Sequence, residues 1–466
     1  MLFVLGPLDR GSFFDGKSRR DKIIGHFHPV YDVCHLERTN LHRHDQNPAE
    51  PKETSGRDPR YWFGIALLNL AIAATIGCVL RSYYVVDIPY LRFKPLLHAH
   101  SHVAMLGWLF IALMVFLLED TDRQQPRGKH RVLLLLVQVA VVGMLLSFPI
   151  ASYGPVSISF TTLHLLLSYA LAVMAWRGTR HWLAAGSRKL VRIAVWLMAI
   201  STIGVWAMAP LLAMGLFGTE VYYWSIQFFL HFQFNGWFWF AALALWSRWA
   251  ETHGTAELFD PFTIRLWLAS AVLTFALAIA WSERHWPIIA INSVGVLLQL
   301  WAGWRTAMAI RSTQQKLFGK APLWAWRCVT YALIGMGLKV LMQTVVAVPA
   351  VAVMAFTIRN YVIGFIHLNM LGAISMMLFA MALLRGWFVS TDPLVRVGLS
   401  LFTGGVLLSE AALFVQGTFF WIGWGMIPGY HWIQLLTSVP IPLGVIALLV
   451  HLVQRRRAVP VLPAPS

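Results

Sequence analysis

The sequence has few charged residues for its length. Asp, Glu, Lys and Arg make up 12% of the 466 residues, against 58% hydrophobic residues. A soluble domain of this length would have to bury one run of about 20 apolar residues after another. The composition therefore argues against a soluble fold and predicts a polytopic membrane protein.

Cysteine is scarce as well, with only Cys34, Cys78 and Cys328. They form neither a Cys-x-x-Cys nor a Cys-x-x-Cys-His pattern, so the sequence supports neither a c-type haem attachment nor a thiolate zinc site, and it predicts no disulfide. Residues 1–61 have no apolar stretch long enough for a signal peptide. We expect this basic region to be a largely disordered cytoplasmic extension; a metal-binding arm formed by its histidines is the alternative.

Acidic residues are fewer than basic ones, 20 against 37, which gives a net charge of +17. The basic residues sit in alternate loops between apolar segments, which indicates membrane topology and excludes nucleic acid as the partner. We predict an all-α chain with about twelve spans, at 62–82, 97–118, 132–152, 155–176, 190–215, 222–246, 264–282, 285–304, 323–349, 358–384, 395–417 and 430–453.

The distribution of Lys and Arg also predicts orientation. The extension, one set of alternate loops and the tail at 454–466 carry 31 of the 37 basic residues, the opposite loops carry five, and Lys339 lies within a span. By the positive-inside rule, both termini are predicted to be cytoplasmic in a bacterial-type inner membrane.

One motif, His-x4-Gly, occurs three times within the spans. It begins at His102, His231 and His367, copies that lie 129 and 136 residues apart on spans 2, 6 and 10. This regularity predicts three four-helix pseudo-repeats, at 62–176, 190–304 and 323–453. The three histidines should lie at a common depth, roughly 7 to 14 Å below the ends of their helices. Histidine is rare in hydrocarbon, so we expect the three to face one another and hold a cofactor.

The glycine that ends each motif has two interpretations. Gly107, Gly236 and Gly372 would let a flat macrocycle approach the helix, or they would let a neighbouring helix pack closely. No carboxylates accompany the motif histidines at this depth. The predicted ligand is therefore haem iron, copper or zinc, and not magnesium or calcium.

Further polar residues in the spans are candidates for the same site. On span 2, His98 and His102 share a helix face, whereas His100 points to the opposite side. The fourth span of each repeat also carries a histidine. The complete candidate set is His98, His100, His102, His367, Arg92 and Arg359 for a haem and its propionates, and His231, His285, His164 and His431 for a metal. The arginines have ordinary membrane flanking as their alternative role.

Two other ionisable groups, Lys339 and Glu410, fall at similar depths in spans 9 and 11. We expect them to form a structural ion pair, with a proton path as the alternative.

Three motifs resemble the catalytic subunit of the haem-copper oxidase and nitric oxide reductase superfamily, including its divergent NnrS-type relatives. They are Leu91-Arg-Phe-Lys-Pro-Leu-Leu-His98-Ala-His-Ser-His102, Gln227-Phe-Phe-Leu-His231 and Gly364-Phe-Ile-His367. The resemblance implies three four-helix arcs, with a span 2 histidine and His367 on haem iron and His231 on a second metal such as copper. The chain departs from the family in having no histidine at 264–282 and Asn369 where the family has a second histidine.

Two functions follow from these features. The first is a haem-binding membrane protein, with or without a second metal, that acts in redox chemistry or in the chemistry or sensing of O2 or NO; whether it is a divergent oxidoreductase stays open. The second is a transporter whose histidines bind a metal ion or protons. A protein of the first kind would need an electron-donor subunit or a c-type cytochrome as partner within the lipid bilayer.

Overall fold

The structure is a computed structural model that describes residues 59–121, 127–182, 184–255, 257–280, 282, 285–318 and 321–457. Most of the predicted extension at 1–61 and of the predicted tail at 454–466 lies outside these residues. Within the described ranges the regular structure is helical throughout, with no β-strand.

Twelve helices cross the bundle in the predicted order, and this confirms the all-α polytopic fold. Eleven of them are long and apolar enough to span a membrane, whereas α6, which carries five Trp, two Gln, one Asn and one His, is not among those eleven. The helices are α1 (Pro59–Ser82), α2 (Phe93–Glu119), α3 (Gly128–Ala151), α4 (Pro155–His181), α5 (Ala185–Ala213), α6 (220–252), α7 (Pro261–Ile279), α8 (Trp286–Thr313), α9 (Leu323–Val345), α10 (Arg359–Leu384), α11 (Pro393–Trp421) and α12 (Tyr430–Arg455).

The predicted bounds differ most from the structure at α8 and after α9. Helical structure continues from α8 to Phe318, fourteen residues beyond the predicted end, because its polar extension contains good helix formers and Arg305 binds the start of α7. There Arg305 pairs with Asp260, whose carboxylate also accepts the Thr263 amide at 2.7 Å. Burial alone would raise the pKa of Asp260, but these two partners hold it below its ordinary value. A short helix, Pro349–Thr357, which we did not predict, precedes α10.

Helices α2, α6 and α10 form the centre of the bundle. Successive helices contact one another around them, and α12 packs against α1, so that the three four-helix repeats close into a ring. In α2, 78% of the helix's most apolar 18-residue stretch is buried, and in α10 the figure is 61%. In each of the other nine such helices it is at most 50%. The motif helices are thus those most enclosed by protein.

Each central helix changes to π-helical geometry directly after its motif histidine. The π segments are Val103–Phe110, Phe232–Phe238 and Leu368–Ser375. Such segments frequently mark functional sites. One consequence is visible between α2 and α10, where Trp108 donates a hydrogen bond of 2.8 Å to the Ser375 hydroxyl, and Ser375 in turn donates to the Met370 carbonyl. The sequence repeat is therefore also a repeat of backbone geometry.

Candidate histidine sites

The central helices are only partly buried on the N-terminal side of their histidines and fully buried farther along. Residues 104–106 of α2, 227–230 of α6 and 365–367 of α10 are only partly buried. By contrast, every residue in 107–117, 231–247 and 373–383 is buried. We call the partly buried half the open end of the bundle, and the motif histidines lie at its boundary with the buried half.

The first site lies between α2 and α10 and contains His100 and His367. These two imidazoles are close enough for a charge on one to affect the other, and Arg81 of α1 is within the same range of both. The Nδ1 atom of His100 lies 2.8 Å from the Ala73 carbonyl oxygen. The Nδ1 atom of His367 lies 3.5 Å from the buried carboxylate of Glu410, so our statement that no carboxylate accompanies the motif histidines is wrong. Each ring thus has one nitrogen oriented by the protein and leaves Nε2 for a ligand.

Neighbouring glycines shape this site. A β-carbon at Gly77 would lie 3.2 Å from Cε1 of His100, and one at Gly364 would lie 3.3 Å from Oε2 of Glu410 and 3.0 Å from the ring of Phe414. Oε2 of Glu410 is buried and has no hydrogen-bond partner within the described residues. The two glycines therefore make room for the groups that line the site.

Arg81 is the residue of this site that our sequence reasoning missed, since we counted it as a loop cation. Its guanidinium donates to the Ser409 hydroxyl at 3.0 Å, the Ser438 hydroxyl at 2.5 Å and the Gln434 carbonyl at 3.0 Å. It thereby joins α1 to α11 and α12 close to Glu410. The signal was present, because Arg81 still belongs to the apolar run of the first span.

The second site lies between α2, α3 and α4 and contains His98, His102 and His164. His102 directs Nδ1 at the His98 carbonyl oxygen, 2.8 Å away, and packs on Phe148 with 4.3 Å between ring centroids. His164 faces the backbone carbonyl of Leu106, in the π segment, and is within electrostatic range of His102. Nε2 of His164 is buried without a partner in the described part of the chain. As predicted from helix periodicity, His100 points away from this site.

The third site surrounds His231 and faces α7 and α9. Nε2 of His231 lies 2.7 Å from the Ala271 carbonyl oxygen, and Nδ1 lies 3.3 Å from the Asn235 amide nitrogen. Asn235 in turn accepts from Gln343, which accepts from Gln299. Both ring nitrogens of His231 are engaged within the protein, so a metal would have to displace one of these contacts.

The predicted pair of Lys339 with Glu410 is wrong. The Lys339 ammonium lies 4.1 Å from the centre of the Trp239 ring, in the third site, whereas Glu410 pairs with His367 in the first. The two groups lie at similar depths, but their side chains reach different neighbours.

The remaining candidates lie nearer the surface. Arg92 donates to the Ile150 carbonyl at 2.5 Å, and Arg359 is exposed at the start of α10. His285 is exposed, and His431 stacks on Tyr84 with ring centroids 4.8 Å apart. Within the described residues, Arg92, Arg359 and His431 show no contact with a motif histidine.

The three motif glycines serve helix packing. A β-carbon would lie 2.9 Å from Val141 at Gly107 and 2.9 Å from Leu197 at Gly236. A β-carbon at Gly335 of α9 would lie 2.9 Å from the backbone of Gly372. Of the two interpretations of the motif glycine, close helix approach is the one with visible contacts.

The motif histidines do not share one metal centre. Each has a different set of partners, and no three His, Cys, Asp or Glu side chains within the described residues are grouped so that they could hold a metal ion. A comparison of the chain with protein-family models and with curated proteins finds no match.

The first site has the donor chemistry that haem requires. Ligand histidines commonly have the second ring nitrogen held by a backbone carbonyl or a carboxylate, which fixes the tautomer and makes the ligand more basic. His100 with Ala73 and His367 with Glu410 both follow this pattern. The side chain of His367 is 23% exposed despite its place on a central helix. The donors of this site are thus of the type that ligates haem iron.

Proposed function

We propose that the protein is a haem-binding membrane protein of the haem-copper oxidase type, in which His100 and His367 would hold the haem. The observation that carries this proposal is the pair of imidazoles on α2 and α10, each with one ring nitrogen oriented and Nε2 left for a ligand. The resemblance did not decide which of the three span 2 histidines would bind the haem. The contacts favour His100, because His98 and His102 lie on the opposite face with Phe148.

Electron transfer is the chemistry that we propose for this site. His100 and His367 would hold the haem, and its iron would supply one-electron chemistry. Glu410 orients His367, Ala73 orients His100, and Arg81 places a positive charge beside both. We further propose that the open end faces the periplasm of a bacterial-type inner membrane, where a c-type cytochrome or donor subunit would deliver electrons.

Absorption spectroscopy of the purified protein tests this proposal. We expect a Soret band that shifts when dithionite is added, with roughly one haem per chain by the pyridine haemochrome assay. His100→Ala and His367→Ala should each remove most of the haem, whereas His98→Ala should retain it. His181→Ala, an exposed histidine at the opposite end, is the matched control. A colourless protein, or haem that survives both ligand substitutions, contradicts the proposal.

A second candidate function is transport through the third site. The buried series Gln299, Gln343, Asn235 and His231, with Lys339 beside it, is the feature that favours it, because intramembrane polar residues commonly mark substrate or proton pathways. Reconstituted vesicles would separate the two functions. Transport would be supported if the haem-free protein moved protons or a metal ion and the Lys339→Met variant did not.

A further inference from the structure

Two arginines that form no ion pair with any of the described residues lie at the end of the bundle opposite the open end. The guanidinium of Arg192, in α5, lies 5.0 Å from the centre of the Trp176 ring, and that of Arg248, in α6, lies 4.3 Å from the centre of the Trp182 ring. The Nε atom of each is buried and has no acceptor within the described residues. Both side chains remain partly accessible. Each arginine thus packs on a tryptophan and has its Nε donor without an acceptor in the described residues.

A third arginine joins this pair into one cluster. Arg188 donates to the Trp182 carbonyl at 3.1 Å, so Trp182 contacts Arg188 through its backbone and Arg248 through its ring. Arg188 and Arg192 are four residues apart on α5 and share a helix face. All three arginines thus contact tryptophans at the C-terminal end of α4, where α5 and α6 pack beside it.

The carboxylate in this region is already used. Glu251 accepts the Ser187 amide at 3.0 Å and the Ser247 hydroxyl at 3.0 Å, and it also pairs with the Ser187 hydroxyl. It thereby satisfies a free N-H group at the start of α5. Within the described residues no ion pair joins Glu251 to Arg188, Arg192 or Arg248, so these guanidinium groups can take an anionic ligand.

An exposed aromatic side chain continues the cluster toward the middle of the membrane. Trp196 lies one helical turn beyond Arg192 on α5, is 59% exposed and packs edge-on against Trp176 with centroids 6.3 Å apart. Guanidinium groups near the helix ends, followed by an exposed tryptophan one turn deeper, match the order of phosphate and acyl chain in a phospholipid.

We propose that Arg188, Arg192 and Arg248 bind the phosphate of an anionic phospholipid, and that its acyl chains lie on Trp196. The site is distinct from the histidine sites, and the proposal does not depend on haem. Zwitterionic phospholipids satisfy the same geometry but carry a compensating cation, so they should bind weakly.

Native mass spectrometry of the full chain in detergent tests the site with phosphatidylglycerol as the probe and phosphatidylcholine as the comparison lipid. Each basic residue near an anionic lipid is worth about a fivefold change in affinity, so Arg192→Gln combined with Arg248→Gln should weaken phosphatidylglycerol binding about thirtyfold. Arg327→Gln is the matched control. Arg327 also lies on a tryptophan ring at the same end, 4.8 Å from Trp324, but it belongs to α9 and not to the arginine cluster on α5 and α6. It should change binding less than twofold.

The salt dependence of lipid binding, measured on the unmodified chain, tests the site independently of how the variants fold. Raising NaCl from 50 to 500 mM should weaken phosphatidylglycerol binding at least tenfold, because the interaction is screened. Binding that ignores salt, equal binding of phosphatidylcholine, or an unchanged affinity in a folded double variant overturns the proposal.

Discussion

Individual buried cations in this bundle are stabilised in two different ways. Arg81 donates hydrogen bonds to Ser409, Ser438 and Gln434 and lies near the carboxylate of Glu410. Lys339 is 1% exposed and has an aromatic ring, Trp239, in place of a carboxylate. A cation–π contact in a desolvated place contributes about 2 kcal/mol, which does not exceed the cost of a charge in the membrane, about 2.5 to 3.5 kcal/mol.

Removing the two charges should therefore have opposite consequences. Lys339→Met should leave the thermal midpoint of the detergent-purified protein unchanged or raise it, because a similar volume replaces a poorly compensated charge. Arg81→Met should lower the midpoint, since it leaves Glu410 without its nearby cation and removes three hydrogen bonds between helices. Intrinsic tryptophan fluorescence during heating measures both. Equal losses in the two variants would show that Lys339 has a partner of comparable strength.

Helices α11 and α12 approach closely where two glycines face each other. A β-carbon at Gly444 of α12 would lie 2.5 Å from the Gly398 carbonyl oxygen and 2.6 Å from the Phe402 nitrogen of α11. These are backbone atoms, which cannot move aside as the end of a flexible side chain can. The contact is of the small-residue type that drives helix association in membranes.

Gly444→Ala should force α11 and α12 apart and destabilise the protein by about 1 to 3 kcal/mol, the usual cost of overpacking. Gly404→Ala is the control on α11, because no atom lies within 4 Å of the added carbon. It should be neutral or slightly stabilising, since alanine favours the helix. Midpoints from the same heating experiment would compare the two, and a stable Gly444→Ala variant would refute the close contact.

The whole molecule is a ring of three four-helix repeats whose sites have diverged. The first site joins the first and third repeats through His100 and His367, the second lies within the first repeat, and the third joins the second and third through His231 and Lys339. A common motif therefore supplies equivalent positions, and the neighbouring helices decide what each histidine contacts.

The orientation of the chain in the membrane is a property of the whole molecule, because its prediction uses all 37 basic residues together. Single cysteines in a chain whose own cysteines are replaced would test it in intact bacterial cells. Tyr90→Cys, at a fully exposed position near the open end, should react with a membrane-impermeant maleimide from outside. Arg311→Cys, on the basic side, should react only after permeabilisation. The reverse pattern would contradict the positive-inside assignment.

The sequence by itself determined the number of helices, their order and the threefold repeat, because a bilayer requires long apolar segments and internally satisfied backbone. It also separated His100 from His98 and His102, since helical periodicity alone puts them on opposite faces. Only the tertiary structure decided that His367 contacts Glu410 and that Lys339 contacts Trp239. The same holds for Arg81, whose partners are more than 300 residues away along the chain. Depth along a helix follows from residue count, but the neighbour that a side chain meets depends on how helices distant in sequence rotate and pack against one another.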